Sequence, residues 1–231
     1  MNSTKKAARV AGLLYILFSI PGFFSLLYVP SVLIVSGDAA ATTHNIMASP
    51  LLFRAGIVGN LIGQVGFIFV ALALYRLFKG VDQKQAILMV ILIVVSIPIA
   101  LLNELNQIAV LILLSGAKFL SVFEKPQLDA LVTFFLTLHG KGFIVPELFW
   151  GLWLFPFGVL VYKSRFLPRV LGVWLIVACF AYLADGFIPF FFPTSEHIVS
   201  EITQAPMLGE VAMMLWLLIR GAKDQPLDAT A

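Results

Sequence analysis

The chain has 231 residues, 61% of them hydrophobic and only 12% charged, with a mean hydropathy of +1.01. A soluble globular domain has about 45–50% apolar and about 25% charged residues, so that class is excluded. The net charge of +3 does not speak for nucleic acid, because the basic residues gather at the ends of apolar runs.

Those runs, each of about 20 residues, predict spanning helices. The period-two alternation of a membrane barrel is absent. The fold class expected is all-α: a polytopic membrane protein with six transmembrane helices in a single domain over residues 1–231. The lone cysteine, Cys179, has no partner for an intramolecular disulfide. No CxxC, HExxH or glycine-rich phosphate loop occurs, and no metal or other cofactor is expected.

In chain order, a short basic tail leads into a first span over residues 7–29, too long for a signal peptide's apolar region. Gly12, Tyr15, Ser19 and Gly22 form a small-residue stripe along it, and Pro21 predicts a kink. Residues 30–50 read as a polar loop between two prolines. The second span, 51–78, carries Gly56, Gly59, Gly63 and Gly66 at helical spacing, read as a packing face, with Asn60 and Gln64 four apart. The third span, 85–115, holds a polar knot of Asn103, Glu104, Asn106 and Gln107 after Pro98.

Ser121 and Glu124 have capping-box spacing, and Pro126 suits a first helical turn. Residues 126–139 read as an outer-surface helix or as the top of an overlong fourth helix. The fourth span proper, 143–162, places Glu147 on one face with Gly151 and Gly158. The fifth span, 168–188, ends in an aromatic belt, FIPFFFP, and carries Asp185. A polar loop, 194–204, then precedes a short sixth span, 205–219, with Glu210. The tryptophans and Met207, Met213 and Met214 are read as packing side chains.

Six spans put both termini on one side. Eleven of the 15 Lys and Arg residues fall on that side and two, Lys118 and Lys125, on the other. The positive-inside rule then makes the termini cytoplasmic, in a bacterial inner (plasma) membrane. At about 1.5 Å per residue, Glu104, Glu147, Glu210, Asn60 and Gln64 fall near mid-depth, with Asp185 and His139 further out.

Ionisable groups inside spans are costly and face a partner or a cavity. The candidate ligand- or proton-binding residues are therefore Glu104, Glu147, Asp185, Glu210, His139, Asn103, Gln107, Asn60 and Gln64, expected to converge on one external-side polar pocket. The expected function is binding or transport of a small solute or proton, since buried carboxyl groups can exchange protons. The alternatives are a membrane-embedded enzyme acting on a lipid-like substrate, and a structural or sensory subunit without ligand. The partners expected are the lipid bilayer and a small-molecule or lipid ligand. Assembly into a homo-oligomer stays open, and nucleic acid is not expected.

The opening AARVAGLLYILFSIPGFF and the run LFWGLWLFPFGVLVYKSRFLPRVLGVWLIVACFAYLAD resemble a bacterial integral-membrane family known as a domain of unknown function, DUF4386. Gly151-Leu152-Trp153, Gly158, Leu167-Pro168-Arg169 and Leu171-Gly172 are the sharpest part of the likeness. The resemblance implies a helical membrane protein of this size. It implies no activity and carries over no site residue.

Overall fold

A backbone in lipid must satisfy its own N–H and C=O groups, which leaves such apolar runs the helix as their solution. The computed structural model describes residues 3–223, and among them every regular element is helical. In order these are α1 (Ser3–Phe23), a π-helical turn (Phe24–Tyr28), α2 (Val29–Leu33), α3 (Ala39–Ala48), α4 (Pro50–Phe78), α5 (Gln83–Asn103) and α6 (Leu105–Leu113). A 3-10 turn (Lys118–Val122) precedes α7 (Lys125–Gly142), α8 (Ile144–Leu152), α9 (Leu154–Lys163) and α10 (Arg169–Phe191). A second 3-10 turn (Pro193–Ser195) leads into α11 (Glu196–Ile219).

Six stretches among the described residues are long and apolar enough to cross a membrane: Thr4–Leu33, Pro50–Phe78, Gln83–Leu113, Lys125–Lys163, Arg169–Phe191 and Pro193–Ile219. This is a multi-pass integral membrane protein. Leu13, Leu27, Leu102, Val170 and Ile202 are exposed along these helices, a surface suited to acyl chains and unsuited to water.

Proline explains where the fourth span breaks. Pro146 and Pro156 have no N–H for the carbonyls four residues back, those of Gly142 and Leu152. Those two residues are where α7 and α8 end. Each proline then occupies the first turn of the next helix, where an N–H has no intrahelical partner. In the third span the interruption falls at Glu104 itself, between α5 and α6.

Four local expectations are corrected. Residues 30–50 are not simply a loop: they hold α3, capped by Asp38 Oδ1 accepting from Ala41 N at 2.8 Å, with Thr42, Thr43 and Ile46 buried. The capping box before α7 uses Glu124 and Gln127, three residues along from Ser121 and Glu124. α10 passes through Pro189 and ends at Phe191. α11 already begins at Glu196, because its polar first turns stay helical, with Thr203 Oγ1 bonding back to Val199 O at 2.9 Å.

The chain divides into two compact units. The first comprises Met1–Phe18, Gly66–Ile97 and Ile144–Ala231, the second Ser19–Val65 and Pro98–Phe143. In the first, Trp153 stacks on Phe157 and meets Tyr15 and Phe67, while Phe78 bridges Phe157 and Phe166. Small residues let helix backbones touch: a Cβ on Gly158 would lie 2.6 Å from Gly172 O, and one on Gly172 would lie 2.7 Å from Gly158 O. Gly12 packs on Leu217, but Gly22 of the same stripe meets nothing. The second unit is built on Val29, Leu33, Ile46, Phe53, Ile57, Val110 and Val132. There Gly56 packs on Val29 and Gly59 on Pro21 O.

Candidate functional site

The candidate residues sort into two groups, one in each unit. In the second unit the centre is Glu104, at the α5–α6 break and 1% exposed. Its Oε1 accepts from Asn60 Nδ2 of α4 and lies 2.9 Å from His139 Nε2 of α7. Gln107 Nε2, one turn on in α6, lies 3.0 Å from His139 Nε2 and 3.3 Å from Nδ1. A nitrogen that donates to Glu104 cannot also accept from an amide. The consistent assignment gives the proton to Nε2, directed at Glu104, and makes Nδ1 the acceptor for Gln107.

Two further amides complete this group. Asn103 Nδ2 donates to His139 O at 2.8 Å, holding the backbone just before α7 ends, and Gln64 Nε2 reaches Asn60 Oδ1 at 3.4 Å. Glu104 Oε2 is buried and has no hydrogen-bond partner among the described residues.

In the first unit the centre is Glu210 of α11. Tyr15 of α1 donates to its Oε1, and Tyr182 of α10 donates to its Oε2 at 3.1 Å. Tyr182 also lies within electrostatic reach of Glu147 and Asp185, and those two carboxylates interact with one another. Glu147 faces α10 over Gly186, where a Cβ would come 3.6 Å from its Oε2. Asp185 Oδ1 accepts from Thr203 Oγ1 at 2.7 Å. Tyr182, Asp185, Glu147 and Glu210 are all half-buried. Among the described residues no three His, Cys, Asp or Glu side chains are grouped to hold a metal ion.

Residues 10–221, which contain both groups, match the model of the family described as domain of unknown function DUF4386. The chain belongs to the DUF4386 family. A relative from Archaeoglobus fulgidus, described as an uncharacterized protein, is 31% identical over 142 residues, which is 59% of this chain and 82% of the relative. No solved structure matches.

Sequence reasoning on this DUF4386 chain missed Tyr15, Tyr182 and Thr203. Tyr182 lies three residues before Asp185, so helical spacing alone puts the two on neighbouring faces. Tyr15 stood on the small-residue stripe of the first span, the one large polar side chain there. Either signal would have served had tyrosines been weighed as carboxylate donors as well as packing groups.

Proposed function

We propose that this protein binds or moves a small, positively charged solute or a proton at the Glu147, Asp185 and Glu210 group. What supports the reading is the position of Tyr182, within electrostatic reach of three carboxylates that come from three different helices, α8, α10 and α11. Carboxylates gathered inside spanning helices repel one another unless a cation or protons lie between them. Both oxygens of Glu210 receive phenol donors. Glu147 and Asp185 are the pair left to face a ligand, and Pro189 has no N–H to offer the Asp185 carbonyl four residues earlier.

The proposal places both termini in the cytoplasm and the chain in a plasma membrane, on the strength of eleven basic residues against two. The bacterial source expected from the resemblance belongs to the proposal too, and the relative found is archaeal.

The test uses the full chain in liposomes loaded with a pH-sensitive dye, with an imposed pH gradient and external sodium, potassium or methylammonium. The gradient should decay faster than in protein-free liposomes with at least one of these, and Glu147→Gln or Asp185→Asn should remove most of the excess. Decay equal to the protein-free control under every condition overturns the reading.

A further inference from the structure

Glu104 is nearly as enclosed as a residue can be, and its two oxygens are treated unequally. Oε1 takes both Asn60 and His139, while Oε2 takes no donor among the described residues. A buried charged oxygen without a donor is destabilising. The group nevertheless surrounds this carboxylate with a histidine and amides, side chains that tolerate either charge state. The packing also limits what could satisfy Oε2. Asn60 is 1% exposed, Gln107 7% and His139 8%.

We infer that Glu104 and His139 form a proton-binding pair that takes up and releases one proton as a unit. In the proton-poor form Glu104 is a carboxylate and His139 is neutral, its Nε2–H directed at Oε1. The added proton bonds to Glu104 Oε2, or to His139 Nδ1 once the Gln107 amide turns its oxygen toward the ring. No other covalent bond changes, and the charge of the pair rises by one.

His139 of α7 is the titratable group set against Glu104. Asn60 of α4 and Gln107 of α6, which also face the pair, are neutral amides, and Lys141 two residues beyond His139 is exposed. Asn103 acts as a positioning residue through the His139 carbonyl. The inference stands on other residues than the proposed solute group and survives that proposal's failure.

The chain has three histidines, and His44 and His197 are exposed. Replacing both by Gln leaves His139 as the one imidazole in an otherwise native chain. Its ring nitrogens are read by NMR as pH is lowered through the range in which histidines change charge, alongside the infrared carboxylic C=O band. In one step, either a carboxylic C=O band should appear with a shift of the ring signals, or the ring should gain its second proton. Glu104→Gln should abolish that band and change the proton affinity of the ring at least about tenfold. A ring fixed in one neutral tautomer with no carboxylic band that Glu104→Gln removes, or an unchanged affinity in Glu104→Gln, overturns the inference. If Glu104→Gln does not fold, the native pair still decides: a ring that keeps one neutral tautomer with unshifted signals across that range overturns it.

Discussion

Glu210 and Glu104 show how differently two membrane carboxylates can be settled. Glu210 has a phenol on each oxygen, so each tyrosine has a separable effect. Tyr15→Phe should destabilise the protein by about 1–3 kcal/mol, because Tyr15 is 1% exposed and nothing can replace its hydroxyl. Tyr182→Phe should be milder, since Tyr182 is half-buried and Tyr15 is enclosed. Thermal unfolding in detergent measures both, and an effect larger for Tyr182 than for Tyr15 would contradict this account. The acidic halves of these contacts were legible in the sequence, because an ionisable residue within an apolar run is conspicuous. The tyrosine halves were not. Tyr15 and Glu210 are 195 residues apart, and a phenol in a span reads as ordinary packing.

At the scale of the helices, the glycines of the family-like run acquire a cause. Gly158 and Gly172 each face the other's backbone, so a methyl group on either has nowhere to go. Gly158→Ala should destabilise by about 1–3 kcal/mol, whereas Gly140→Ala, whose added Cβ meets nothing within 4 Å, should not. Both are read as shifts in the unfolding midpoint in detergent.

The α4–α5 turn is tied to the end of α9 by Lys163 Nζ, 2.9 Å from Asp82 Oδ2. The bond from Lys163, then that from the Gln85 backbone, lower the Asp82 pKa below its ordinary value. A carboxylate depressed in the folded state is stabilising above its unfolded pKa, and that contribution is lost as pH falls through the folded one. Asp82→Asn should therefore lower stability slightly at neutral pH and flatten its acid-side decline. Unfolding midpoints measured across that acid range check the sign. The pair is solvent-exposed, so the effect is small.

For the whole molecule, the orientation proposed from the placement of basic residues predicts which surfaces face which compartment. Cysteines introduced at Gly80 and Lys118, both exposed, should react with a membrane-impermeant maleimide from opposite sides of intact cells. Lys118→Cys should label from outside, and Gly80→Cys only after the membrane is opened. Buried Cys179 should stay silent in both. Labelling of both positions from one side would remove the orientation.

The sequence by itself determined the all-helical class, the number of spanning stretches and the positions of the costly polar residues. Those follow from local quantities: apolar run length, charge placement and the price of an ionisable group in lipid. Only the tertiary structure decided which groups meet. It separated Glu104 and His139 in one compact unit from Glu147, Asp185 and Glu210 in the other, gave Glu210 two phenols and left Glu104 Oε2 without a donor. Partner choice across helices depends on the rotation and crossing of each helix. Side chains far apart in the chain set those angles together, and no single stretch encodes them.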